Sequence, residues 1–349
     1  MAASLWAIVI TSWAAAYVGT HKPHHPPLFF LKFWADCLQP ERPLEPAIDV
    51  NGTLDTIHVV YASDSKNFAG LLTSMLSVAE HLEAPSNCTI HVLMPEEDLE
   101  KAALLEGCFA RELAAPPAVR VQATKPLPFE IRPTHKEIRM DLRSSPQAHA
   151  RWYLHEYLPT APRAIWLDTD TIVRTDIGKL YRMRMEHPLA AALDEPGWTH
   201  AKEIKTFLDE GLSPDLVKYF KHPDQRPFNS GVMVLDLERW RAEDVARDLE
   251  RITIAFEGYR WDQLPLQLRF QDGFDLLDSR WNRLHLGILP AGGLPRRCID
   301  SAYILHWSHW SEKPWHRRGA SARGPHDDIF EAYAPRNEAC MRMFSQPRA

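Results

Sequence analysis

Short apolar runs, each closed by polar residues and followed by a helical stripe, recur along most of this chain. Ile57-His58-Val59-Val60-Tyr61-Ala62 ends at Ser63-Asp64, and Phe68, Leu71, Leu72, Met75, Leu76, Ala79 and Leu82 then keep one helical face apolar. Thr89 to Met94 predicts a second strand, Glu96 to Leu105 a charged helix, and Val119-Arg120-Val121 a third strand. Ala148 to Leu158 reads as helix and leads into Ala164-Ile165-Trp166-Leu167, a continuous apolar strand. Leu189 to Leu193 and Gly231 to Leu235 repeat that buried character. One helix is predicted from Leu237 to Ile252, carrying Trp240, Val245, Leu249 and Ile252. Strands and helices in alternation constrain the chain to an α/β sheet covered on both faces, with ligands at the carboxyl ends of the strands. Polar residues that follow apolar strands are therefore the first candidates for chemistry.

The ends of the chain read differently. Leu5 to Thr20 is free of charge and reads as a short signal-anchor or a cleaved signal peptide, so residues 1–20 form a membrane or secretory address. Lys22 follows the run and no Lys or Arg precedes it, which argues against a cytoplasmic N-terminus. A lumenal domain is still favoured, because Asn51-Gly52-Thr53 and Asn87-Cys88-Thr89 fit the N-glycosylation pattern. The expectation is a type II membrane protein of the Golgi or another secretory lumen, or else a secreted one. Residues 21–55 read as a proline-rich stem, 56–335 as one catalytic domain and 336–349 as a tail. The chain of 349 residues is 45% hydrophobic with a net charge of −6, which excludes wholesale disorder and leaves no electrostatic footprint for nucleic acid. Five cysteines are too few for a disulfide scaffold of this length, and their spacing assigns no bridge.

The strand 164–167 runs into Asp168-Thr169-Asp170. On an extended segment, residues i and i+2 share a face, so both carboxylates can converge on one point. Unpaired, they would repel each other; a divalent cation such as Mg²⁺ or Mn²⁺ relieves this and commonly bridges carboxylates to substrate phosphates. Asp168 to Thr171 also fits a haloacid-dehalogenase-type phosphatase, with Asp168 as nucleophile and Asp327-Asp328 as a late acidic pair, although these follow a basic loop rather than an apolar strand.

Further segments decide between the two. Phe228-Asn229-Ser230-Gly231 leads through Val232 to Leu237 into Glu238-Arg239-Trp240-Arg241. Asp262-Gln263 opens a helix, Trp281-Asn282 follows, and Lys313-Pro314-Trp315 comes shortly after His306. With Ile165 to Val173, this order resembles glycosyltransferase family 8, the retaining nucleotide-sugar transferases that include glycogenin- and galactosyltransferase-like enzymes. The likeness runs from about residue 57 to 315. It implies a GT-A-type α/β/α sandwich with a mixed, mostly parallel central sheet and a Rossmann-like nucleotide-binding half. It also implies transfer of a hexosyl or pentosyl group from a UDP-sugar to a glycan, protein or lipid acceptor.

The resemblance assigns roles residue by residue. Asp168, Asp170 and His306 are the expected ligands of Mn²⁺, with Mg²⁺ the less expected ion because one ligand is an imidazole. Lys313 supplies a positive charge to the diphosphate, and Arg151 holds a second pair of its oxygens. Ala62, Asp64 and Asn67 sit where the family binds the uridine part, although an Asp or Asn there also caps helices. Thr169, Ser230 and Gly231 line the donor, Gly231 because it permits close backbone approach. Asp194 lies on the acceptor side. Asn229, Asp262 and Gln263 are expected around the anomeric carbon. An amide is a poor nucleophile, so same-face attack is favoured, with the leaving phosphate taking the acceptor's proton. The family's ending has a glycine where His309 stands here and is one residue shorter, which leaves His306 and His309 as alternative ligands. That irregular loop also motivates a third reading, a non-catalytic sugar- or nucleotide-binding protein on the same fold.

Overall fold

The computed structural model describes residues 39–340 apart from 48–51, 53, 131–144, 195, 210, 212, 257–261, 288–293, 295, 309–312 and 318–322. The apolar run at 5–20, Asn51, Trp310 and His309 therefore lie outside the described residues. No helix among the described residues is long and apolar enough to cross a membrane.

Among the described residues, nine strands form two sheets. They are β1 (Ile57–Ala62), β2 (Cys88–Met94), β3 (Ala118–Ala123), β4 (Arg163–Leu167), β5 (Thr171–Val173), β6 (Leu189–Leu193), β7 (Phe228–Asp236), β8 (Asp275–Leu276) and β9 (Ile304–His306). Seven strands make the main sheet in the order β3-β2-β1-β4-β7-β6-β8, while β5 and β9 form a ribbon. β1, β2, β3 and β4 pair in parallel, β7 runs antiparallel to both β4 and β6, and β8 returns parallel to β6. This is the mixed, mostly parallel α/β sheet expected from the alternation. β4 is buried along its whole length, which a strand flanked on both sides and both faces requires.

The two-residue period of the strands sorts the core into two layers. Val59, Tyr61, Ile165, Leu167, Val232 and Val234 pack with α1 (Phe68–His81) on one face. Val60, Trp166, Met233 and Leu235 pack on the other face with Trp152 and Trp240. A helix α2 (Ala102–Glu112) follows β2, but the predicted Glu96 start is a 3-10 turn, Glu96–Lys101. Its buried Asp98 accepts from the Ser65 N–H at 2.7 Å and from Lys101 Nζ at 2.7 Å, which pins the loop after β1.

The single helix expected from Leu237 to Ile252 is two, α3 (Leu237–Ala242) and α4 (Val245–Ala255), broken at Asp244 with φ of 51°. The reason lies in the spacing. Trp240 and Val245 are five apart, which a 3.6-residue period cannot keep on one stripe. Asp is also among the few side chains that tolerate the left-handed conformation at such a break.

Part of the proline-rich segment is tied to this domain. Ala47 N–H donates to Arg182 O at 2.7 Å, Arg184 N–H donates to Glu45 O at 2.6 Å, and Arg42 N–H reaches Asp278 Oδ2 at 2.8 Å. At the other end, Cys108 of α2 is bridged to Cys340 with Cα atoms 5.6 Å apart, while Cys88 is a free, buried thiol. The Cys108→Ala, Cys340→Ala double variant is expected to lose about 2–5 kcal/mol of stability, since the bridge closes a long loop. Thermal melts under non-reducing conditions check this: the double variant should melt below the parent, and equal melting temperatures would contradict it.

β1 and β2 also carry a histidine pair, with His58 Nδ1 3.1 Å from His91 Nε2. Burial, then the His58 and Arg120 charges, push the His91 imidazole down to about 3. A folded-state value below the unfolded one means that stability is full above about pH 6.5 and falls as the pH drops towards 3. Replacing His91 by Asn should flatten that part of a pH–stability curve measured by urea unfolding.

Candidate active site

The site is built at the carboxyl end of β4. Asp168-Thr169-Asp170 forms a turn between β4 and β5, closed by the Thr171 hydroxyl donating to Asp168 O at 2.8 Å. Strand alternation is thus not what brings the carboxylates together, as the spacing alone suggested; the turn does so. The β5–β9 ribbon then pairs Thr171 with His306, which carries that imidazole to the same place. His306 Nε2 lies 3.1 Å from Asp170 Oδ1 and 4.0 Å from Asp168 Oδ2. One ligand atom from each of Asp168, Asp170 and His306 lies within 4.8 Å of the others, the one such grouping among the described residues.

The donor set fits a divalent cation. His306 Nδ1 lies 2.8 Å from Asn282 Oδ1, and its Nε2 faces the carboxylate oxygens. Carboxylate oxygens and an imidazole nitrogen that converge on one point are a mixed donor set that suits a divalent cation. The local sequence makes room for this. A Cβ on Gly231 would overlap His306 Cε1 and stand 2.9 Å from Asp168 Oδ2. The Gly231 carbonyl meanwhile accepts from the Asp168 N–H at 2.8 Å.

Cationic side chains flank the carboxylates. Lys313 Nζ donates to Asp170 Oδ2 at 2.6 Å and to Trp307 O at 2.7 Å. Burial alone would raise the Asp170 carboxyl, but Lys313 and His306 outweigh it and hold it well below the usual carboxylate range. Arg151 is buried. It donates to Ser230 O at 2.8 Å, Ser230 Oγ at 2.7 Å, Ala148 O at 3.1 Å and Asp168 Oδ1 at 3.2 Å, and it pairs with Asp262 Oδ2 at 3.3 Å. Its guanidinium also lies 4.6 Å from the centre of the Trp166 ring.

Opposite stands the start of α5 (Gln263–Arg269). Gln263 Oε1 accepts from the Ser230 N–H at 2.8 Å and hydroxyl at 3.0 Å, and its Nε2 donates to Asp194 Oδ2 at 3.0 Å. Asp262 makes no side-chain cap to that helix; its carboxylate goes to Arg151. The structure thus brings Asn229, Ser230, Asp194, Asp262 and Gln263 into one network with the carboxylate turn. At the end of β1, Ala62 leads to Asp64, whose Oδ1 accepts from the Asn67 N–H at 3.1 Å and Nδ2 at 2.7 Å. This is the capping role, and it leaves both residues partly open on the same edge of the sheet as Asp168. Trp307 and Trp315 belong to a core cluster with Phe330.

Two participants carried no assigned role in the sequence. Trp166 Nε1 donates to Asp168 Oδ1 at 2.8 Å, and its place two residues before Asp168 on a strand was the available signal. Asn282 is the other; its partners lie far along the chain, so only its place after Trp281 marked it.

Comparison with known proteins adds to this geometry. The family model described as Glycosyl transferase family 8 matches residues 58–319. The chain belongs to glycosyltransferase family 8. Among curated relatives, "Probable galacturonosyltransferase-like 4" of Arabidopsis thaliana is 30% identical, covering 89% of this chain and 86% of its own. "Probable galacturonosyltransferase-like 10" of the same plant is 28% identical over 79% of this chain and 76% of its own. Among solved structures, the galactosyltransferase LgtC in complex with donor and acceptor sugar analogs has a TM-score of 0.55 at 20% identity, covering 82% of this chain and all of its own. WbbM, a bifunctional glycosyltransferase, scores 0.58 at 17% identity over 87% of this chain and 53% of its own. These last two establish the shared GT-A fold. A family 8 glycosyltransferase is an enzyme of group transfer, so the phosphatase and non-catalytic readings fall away.

Proposed function

We propose that this family 8 enzyme moves a hexosyl or pentosyl group from a UDP-sugar to a glycan, protein or lipid acceptor with retention of anomeric configuration. The observation that carries the reading is the convergence of Asp168, Asp170 and His306 at the end of β4, with Lys313 beside them. Mn²⁺ is the ion that this mixed carboxylate–imidazole set favours over Mg²⁺; once bound, it supplies Lewis-acid stabilisation to the departing diphosphate. Lys313 adds positive charge at the same place. Arg151 acts as a positioning residue, since its donors fix Asp168, Asp262 and Ser230. Gln263, held at both ends of its amide, orients the donor sugar rather than attacking it. Same-face attack then follows: the acceptor oxygen bonds to the anomeric carbon as the phosphate bond breaks, and the leaving phosphate takes the proton. Ala62, Asp64, Asn67 and Thr169 hold the nucleotide side, and Asp194 faces the acceptor.

The names of the relatives make UDP-galacturonic acid the first donor to test. Proton NMR of the product formed from an α-linked donor should show an α-anomeric linkage. A β-linked product would overturn the retaining reading.

The disulfide between Cys108 and Cys340 supports an oxidising, secretory compartment, whether the chain is membrane-anchored through residues 5–20 or secreted. Asn87 is exposed in the turn before β2, on the edge of the sheet away from the site, and is the expected glycan acceptor. Peptide-N-glycosidase should shift the mass of the parent made in a eukaryotic secretory host, and N87Q should reduce that shift by one glycan with activity unchanged. A parental shift in N87Q would overturn the assignment to Asn87.

A further inference from the structure

His306 is held from behind by a chain of amide hydrogen bonds whose direction can be read without ambiguity. The Gly231 backbone N–H, which can only donate, reaches Asn229 Oδ1 at 3.0 Å. The oxygen end of the Asn229 amide is thereby fixed. Asn282 stands 2.9 Å from that same oxygen and must turn its Nδ2 towards it. Asn282 Oδ1 then faces His306 Nδ1 at 2.8 Å, and His306 has to donate there. Turning either amide over puts two acceptors face to face at Asn229 or two donors face to face at Gly231. Asn282 and His306 are both buried, so water does not rescue the wrong orientation.

We infer that Asn282 is a positioning residue that sets His306 as the Nδ1–H tautomer, with the Nε2 lone pair aimed at Asp168 and Asp170. The same bonds turn the amide nitrogen of Asn229 away from Gly231, so Asn229 meets a substrate as a donor. Asn282 thus couples the imidazole ligand on β9 to the residue that opens β7, across a gap that no backbone pairing spans. An amide suits this place better than a carboxylate or a hydroxyl. It alone offers an acceptor to the imidazole and a donor to Asn229 in one rigid plane. The inference rests on the metal-site reading for its consequence, but the tautomer itself is a property of the protein without any ion.

Nitrogen-15 histidine labelling separates the two. In the metal-free parent, the His306 resonances, assigned by their loss in H306Q, should show a protonated Nδ1, whether or not Nε2, 3.1 Å from Asp170 Oδ1, also carries a proton. The opposite tautomer would overturn the inference, whatever the metal does. Mn²⁺ affinity from the EPR signal of free ion gives the second arm. Asn282→Leu removes the acceptor and should weaken Mn²⁺ binding about ten- to a hundredfold, as loss of a ligand-orienting partner does. Asn282→Asp keeps an acceptor towards Nδ1 and should stay nearer the parent than Asn282→Leu. Equal affinity of parent and Asn282→Leu would overturn the coupling. A parent that binds no Mn²⁺ would count against the metal reading alone, and the tautomer measurement would still decide on Asn282. If Asn282→Leu does not fold, the parent spectrum and Asn282→Asp carry the test.

Discussion

Replacing Asp170 by Asn is expected to lower kcat/KM about a thousandfold or more, equivalent to about 4 kcal/mol of transition-state stabilisation. The loss has two physical sources. Asp170 is the carboxylate closest to His306, and it is the partner of Lys313 at 2.6 Å, so its charge organises both the cation site and the ammonium. Its carboxyl lies below the usual range although burial opposes this, so it is ionised throughout neutral and mildly acidic solution. Because the folded value is below the unfolded one, its contribution to stability is present above about pH 4 and disappears as the pH falls further. An amide in its place keeps the shape and removes the charge. Steady-state kinetics with saturating Mn²⁺, together with calorimetric titration of the ion, check the prediction. The variant should bind Mn²⁺ far more weakly while its far-ultraviolet circular dichroism stays that of the parent. A variant with parental kcat/KM would remove Asp170 from the catalytic apparatus.

Gly231→Ala should be nearly as damaging, for a steric reason. The new methyl would overlap the His306 ring, stand 2.9 Å from Asp168 Oδ2 and sit 3.0 Å from His306 Nδ1. Neither neighbour has room to retreat: His306 is buried and bonded to Asn282, and Asp168 is held by Trp166 and Arg151. Overpacking of this kind costs about 1–3 kcal/mol of stability, and displacement of two ligands is expected to weaken Mn²⁺ binding at least tenfold. Gly107→Ala is the matched control. Gly107 lies inside α2 with open space around its Cα, so alanine there should be neutral or stabilise by up to about 1 kcal/mol and leave activity alone. Equal melting temperatures and activities for the two alanine variants would contradict the packing argument.

Local patterns in the sequence carried much of this organisation. Ile165, Leu167, Val232 and Val234 face one core layer because strand side chains alternate, and such runs are visible before any fold is known. Asp168 and Asp170 follow such a run and are legible for the same reason. The pairing that delivers His306 was not, because β5 and β9 hold three residues each and lie far apart in the chain. The break at Asp244 is hidden because Trp240, Val245 and Leu249 are all apolar, and only the five-residue step between the first two marks it. Arg151 illustrates a different gap. Its residue type and family position point to a phosphate, whereas its contacts with Ser230, Asp168 and Asp262 depend on three segments meeting in space. Asn282 is the extreme case, since both of its partners come from other strands.

The proposed function requires that a divalent ion held by Asp168, Asp170 and His306 support glycosyl transfer from a UDP-sugar. Its most direct test is UDP release by the purified full chain from a panel of UDP-sugars, UDP-galacturonic acid included, with Mn²⁺, with chelator and with the Asp170→Asn variant. Release from at least one donor is expected to depend on Mn²⁺ and to be lost both on chelation and in the variant. Donor turnover unaffected by chelator and by Asp170→Asn, or no binding or turnover of any donor with Mn²⁺ present, would contradict it.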